Sequence, residues 1–165
     1  MTDYKSETVD GKCIFCEIVN GNIQTPGVFY EDESFMAFLS IFPSTEGHTV
    51  VIPKAHFPSD VLSLPDEKLQ EFIVAAKKVS NILLNHFDDV GRVGLIMEGT
   101  GVDHAHIKLV PMHGTEHMKQ GVWKQYLSNK HEFFTKYEGY IVSNDGPKGD
   151  IEKLKSLANQ LKKSQ

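Results

Sequence analysis

Asp103-His104-Ala105-His106-Ile107-Lys108-Leu109-Val110-Pro111 is the stretch on which the reading of this chain turns. Side chains alternate between the two faces of an extended strand, so Ala105, Ile107 and Leu109 form one apolar set suited to a core. His104, His106 and Lys108 fall on the opposite face, and adjacent members of that row stand about 6.6 Å apart, a gap a phosphate group can bridge. A neutral imidazole is a capable nucleophile near neutral pH, and a nearby cation stabilises negative charge as it develops on phosphoryl oxygens. The stretch therefore predicts a short strand that offers His106 to a phosphorylated ligand.

On either side of it the pattern is that of a small mixed domain. Val28–Tyr30 and Phe35–Leu39 are aromatic and apolar, and Glu31-Asp32-Glu33-Ser34 between them suits a hairpin turn. His48–Ile52 is β-branched and stops at Pro53, giving a third strand. From Asp66 to about Phe87, Leu69, Phe72, Ile73, Ala76, Val79, Ile82 and Leu83 recur at spacings of three and four, which predicts one long amphipathic helix. Ser63, three residues before Asp66 and followed by Pro65, is the expected N-cap. Arg92–Met97 and Val102–Val110 read as two strands joined by Gly99-Thr100-Gly101, whose glycines tolerate positive φ. Tyr137–Val142 is a further strand candidate, and Ile151, Leu154, Leu157, Ala158 and Leu161 mark a C-terminal helix. Residues 114–136 carry no clear periodicity, and Trp123 among them reads as a core or subunit-contact residue. The fold class is α+β: about five mainly antiparallel strands, one long helix and a C-terminal helix.

A length of 165 residues allows one proper core, so the expectation is a single domain over 1–165, flexible over 1–12, with 114–165 as a C-terminal extension. The net charge of -5 disfavours a polymeric nucleic acid partner but leaves room for a small phosphorylated one. No segment reads as a secretory signal or a membrane span, which points to a cytoplasmic location and no membrane partner. Both cysteines lie in Cys13-Ile14-Phe15-Cys16, a spacing compatible with metal ligation or a redox pair. No thioredoxin-like context surrounds them, so metal is favoured, and zinc commonly completes such a pair with two histidines. Spacing alone does not choose among the eight histidines.

In order along the chain come Cys13-Ile14-Phe15-Cys16-Glu17-Ile18, Val28-Phe29-Tyr30-Glu31-Asp32-Glu33, Phe35-Met36-Ala37-Phe38-Leu39, Gly47 to His56 (Gly-His-Thr-Val-Val-Ile-Pro-Lys-Ala-His), and the His104-x-His106 unit. This ordered set resembles the histidine triad (HIT) superfamily of nucleotide hydrolases and transferases, especially its zinc-containing bacterial branch, over roughly Cys13–Pro111. The resemblance implies a nucleotidyl-accepting nucleophile at His106, and a structural zinc on Cys13, Cys16, His56 and His104. It also implies an orienting or phosphate-contacting role for His48, a nucleotide-conjugate substrate attacked at its α-phosphorus, and a homodimer.

The sequence departs from the family pattern at four places. Lys108 stands at the third triad position, and Ser40 replaces the ribose-binding aspartate. The loop before the triad shrinks to Glu98-Gly99-Thr100-Gly101-Val102, and Met112 replaces an arginine. Lys108 keeps a positive donor for phosphate oxygens, and Ser40 keeps one hydrogen bond to ribose. Thr100 and the backbone around Gly99 and Gly101 remain phosphate-contacting candidates, while Glu98 would oppose an anion if it pointed inward. His113 and His117, at helical i, i+4 spacing, are candidates for a missing proton donor, and Asp103 for an acceptor orienting His104. These departures leave a second reading open: a nucleotide-binding regulatory protein of the same fold with weakened turnover.

Overall fold

The computed structural model describes residues 11–25, 27–124, 126, 129–143 and 145–164. In chain order the elements are α1 (Ile14–Val19), β1 (Val28–Glu31), β2 (Phe35–Leu39), β3 (Thr49–Pro53), α2 (Asp66–His86), β4 (Val93–Ile96), β5 (Ile107–Pro111) and α3 (Ile151–Lys162), with 3-10 turns at Val61–Ser63 and Glu116–Gln120. The chain forms two compact units, residues 1–123 and 124–165. The expectation of flexibility over 1–12 falls outside the described residues except for Gly11 and Lys12.

In the first unit the five strands make one antiparallel sheet in the order β1-β2-β3-β5-β4. The β1–β2 turn is closed by Asp32, whose Oδ1 accepts the N–H groups of Ser34 and Phe35 at 3.0 and 2.8 Å. Aspartate does this readily because its side chain mimics a backbone carbonyl. Alternation then divides the sheet. Ala37, Val51, Ile107 and Leu109 point into a core completed by Phe72, Ala75, Ala76, Val79 and Leu83 of α2. Each large side chain so enclosed contributes roughly 1.5–3 kcal/mol of transfer free energy. On the reverse face Met36, Phe38, Val50 and Ile52 make a smaller cluster, packed by Phe15, Ile18 and Val19 of α1. The site lies on this second face.

Several expectations are corrected by the structure. The long helix spans the predicted residues, but Ile73 and Ile82 are 37% and 39% exposed, and Ala75 takes part in the buried stripe instead. Its N-cap is Pro65 with no side-chain cap, because the Ser63 hydroxyl donates to the Asp60 carbonyl; Asp66 and Glu67 supply the first-turn negative charge. Gly99-Thr100-Gly101 is no tight hairpin. Residues 97–106 separate β4 from β5, although Gly99 and Gly101 do adopt positive φ of 66° and 91°. Trp123 is 69% exposed, with the Arg92 guanidinium 4.8 Å from its ring centroid, so it is not a core residue.

In the second unit α3 forms where the apolar spacing places it, with Asp150 Oδ1 accepting from the N–H groups of Glu152 and Lys153. Tyr137–Val142 forms no strand. A strand needs a partner, and the described residues of this unit contain none.

Candidate functional site

His104 and His106 do not lie on a strand, contrary to the sequence expectation; β5 begins one residue later. The cause is Pro53. The β3–β5 ladder runs through Val51↔Ile107, and the next donor on β3 would be the proline, which has no N–H. Its carbonyl accepts instead from His104 Nε2 at 2.9 Å, and the Ala105 N–H goes to the Phe57 carbonyl at 2.8 Å. The alternation survives without the ladder: Ala105 stays in the α2-side core, and His106 faces the other side.

With Nε2–H donating to Pro53, His104 Nδ1 is the lone-pair nitrogen, and it lies 3.4 Å from Cys13 Sγ and 3.5 Å from Cys16 Sγ. His56 Nδ1 lies 3.4 Å from Cys16 Sγ. Ligand atoms of Cys13, Cys16, His56 and His104 all fall within 4.8 Å of one another, a group that could hold a metal ion. Tetrahedral zinc, with bonds of about 2.3 Å to sulfur and about 2.0 Å to nitrogen, sets sulfur and nitrogen about 3.5 Å apart, so the four donors fit. Burial, and then the neighbouring Cys13, push the Cys16 thiol up to about 11. Asp103, the expected orienting acceptor, instead accepts from the Ser59 N–H at 2.9 Å; the Pro53 carbonyl does that work for His104.

His106 is 4% exposed and His104 fully buried, so both imidazoles are enclosed. His106 Nδ1–H donates to the His104 carbonyl at 2.8 Å, which leaves Nε2 as the lone-pair atom. Among the described residues the one wholly enclosed side-chain nitrogen or oxygen without a hydrogen bond is His48 Nε2, so His106 Nε2 is not sealed off. Phe15 of α1 packs edge-on against both rings, with centroids 5.7 Å away in each case. Burial holds the His106 imidazole below its ordinary value, favouring the neutral form.

The remaining candidates lie along the same face of the sheet. Phe38, Val50, Lys108 and Ile96 share one register row. Ser40 and His48 share the next, through the Ser40 N–H to the His48 carbonyl at 2.8 Å. His48 Nδ1 accepts the Ser44 N–H at 3.1 Å, so in the neutral ring Nε2 carries the proton and is the buried donor without a partner. Burial and then Lys108 lower its pKa. Ser40 Oγ accepts from the Phe42 N–H at 3.2 Å, which uses one of its lone pairs locally.

The Lys108 ammonium is paired with the Glu98 carboxylate, so the lysine is not the isolated cation its position suggested. A carboxylate ten residues away carries no spacing signal; only the shortened loop hinted that it could turn inward. Thr100 is exposed, and a Cβ at Gly99 would stand 2.9 Å from the Ser59 carbonyl oxygen, so that turn requires glycine. His113 and His117 do not share a helix. Both His113 nitrogens are engaged, Nδ1 by Asp89 and Nε2 by the Glu46 carbonyl, which removes it as a proton donor.

The HIT domain family matches residues 22–115, more than half of the chain. Protein hit of Bacillus subtilis is 36% identical over 121 residues, covering 71% of this chain and 82% of that protein. The adenosine 5'-monophosphoramidase HNT1 of Saccharomyces cerevisiae is 34% identical over 105 residues, covering 63% of this chain and 65% of that protein. A crystal structure from Streptococcus mutans UA159 superposes with a TM-score of 0.63 at 27% identity, covering 96% of this chain and 87% of that one.

Proposed function

The chain belongs to the HIT domain family, which includes nucleotide hydrolases, and from that membership we propose that it hydrolyses or transfers nucleotides at the α-phosphorus of nucleoside phosphate conjugates or dinucleoside polyphosphates. The observation that carries the reading is the fixed tautomer of His106. Its Nδ1–H is committed to the His104 carbonyl, so Nε2 presents a neutral lone pair on the face shared with His48 and Lys108. That nitrogen attacks phosphorus, a P–N bond forms, and the bond to the leaving group breaks with its electron pair, giving a nucleotidyl-histidine that water cleaves.

In this reading Lys108 holds the non-bridging oxygens as charge develops, His48 orients from the same face with its Nε2 enclosed, and Gly99, Thr100 and Gly101 are candidate backbone donors. Ser40 can donate its hydroxyl hydrogen to ribose while its oxygen serves Phe42. Cys13, Cys16, His56 and His104 would hold zinc in a closed, structural site, as in the zinc-containing branch of the family. Bound zinc supplies a cross-link between α1 and the segment that carries His106. Edge strand β4, where Leu95 is 43% exposed, is the surface through which a second copy would complete a homodimer.

The chemistry is tested by incubating the protein with labelled adenosine phosphoramidate, quenching, and mapping adducts by mass spectrometry. Nucleotidylated His106 is expected in the wild type and absent in His106→Ala, with turnover at least a hundredfold lower in the variant, on the order of 3 kcal/mol of barrier. Adduct on any other residue refutes the assignment. The Glu98–Lys108 pairing favours one alternative, a nucleotide-binding regulator of weakened turnover, which predicts tight binding with neither adduct nor product.

A further inference from the structure

Lys108 lies two residues beyond His106, and its ammonium is held by a carboxylate from the segment that follows β4. The Glu98 side chain is only 12% exposed and that of Lys108 28%, so water and salt screen the pair weakly. Both charges act on His48, on the same face: Lys108 pushes its pKa down and Glu98 pushes it up. The face that carries His106 therefore sets the negative Glu98 against the positive Lys108, where an unpaired lysine would leave it cationic.

The α-phosphate changes its own charge during the proposed reaction. Esterified or amidated through a leaving group, it carries one negative charge at neutral pH. The released nucleoside monophosphate, with a second pKa of about 6, carries nearly two. A carboxylate on this face opposes a dianion with about twice the Coulomb energy with which it opposes a monoanion.

We propose that Glu98 is a specificity-determining residue: by neutralising Lys108 it tunes the face that carries His106 to singly charged α-phosphoryl groups, such as phosphoramidates and phosphodiesters, and against the doubly charged nucleoside monophosphate. The proposal rests on the nucleotide reading above. It gives Glu98 two consequences for turnover, admission of the substrate charge state and expulsion of the product.

The test is calorimetric titration of the full chain, at about pH 8, with adenosine 5'-monophosphate and with its methyl ester, which retains a single charge. Wild type is expected to bind the ester at least as tightly as the monophosphate. In Glu98→Gln the monophosphate should tighten roughly tenfold more than the ester. Lys108→Met should shift the ratio the opposite way, and the Glu98→Gln/Lys108→Met pair should restore it, because only net charge is at issue. Equal changes for both ligands, or none, in the single variants overturn the role of Glu98. Failure of the wild type to bind either ligand instead sinks the nucleotide reading itself.

Discussion

Single side chains in this protein titrate in opposite senses, and two histidines make the contrast measurable. His113 has its pKa raised, first by the Glu46 carbonyl and then by Asp89. Its contribution to stability is therefore complete below about pH 6.5 and disappears as pH rises through the elevated folded value. His48 has its pKa lowered by burial and Lys108, so its contribution is present above about pH 6.5 and fades as pH falls through the depressed folded value. Melting temperatures of His113→Gln and wild type should differ more at roughly pH 5.5 than at roughly pH 9, and the order should reverse for His48→Gln. Much of the site was legible at this scale, since the family resemblance implied Cys13, Cys16, His56 and His104, which the fold gathers into one cluster. Glu98 was not. Its partnership with Lys108 depends on how an irregular ten-residue connection turns, and no periodicity governs that.

Among the elements, α2 shows how a helix end is satisfied from far along the chain. The Lys119 ammonium donates to the carbonyls of Leu84, Phe87 and Asp88 at 3.0, 3.0 and 3.3 Å, a cationic cap on the negative end of the helix. Lys119→Met should cost about 1 kcal/mol in urea denaturation, with hydrogen exchange accelerated in the last turn of α2 rather than in the sheet. Apolar spacing placed α2 and α3, aromatic and apolar runs placed β1 and β2, and a β-branched run placed β3, each strand to within a residue. The start of β5 escaped because Val102–Val110 has the composition of a strand, while its ladder is cut short from across the sheet by Pro53. Gly91 was equally silent in the sequence. Its φ is unexceptional, yet a Cβ there would lie 1.9 Å from the Thr115 carbonyl oxygen, a closeness created entirely by tertiary contact.

For the whole molecule the metal-capable cluster is the point where distant parts of the chain are fastened together. Cys13 and Cys16 come with α1, His56 follows β3, and His104 precedes β5. Chelation should lower the melting temperature and loosen α1 from Met36, Phe38, Val50 and Ile52. Cys13→Ser should reproduce that loss and retain less zinc by elemental analysis. Equal stability and equal zinc in the two proteins would reject the structural assignment. Light scattering reads the proposed pairing through β4: twice the chain mass is expected, and Leu95→Glu should return the monomer. His104 has three obligations at once, Nδ1 toward the thiols, Nε2–H on Pro53 and its carbonyl on His106. No other metal-binding side chain can inherit the position: cysteine would bring sulfur but no second N–H for the proline, and aspartate would set a carboxylate against the proline oxygen. Attempts to re-engineer the metal preference of this protein should therefore begin at exposed His56 and leave position 104 untouched.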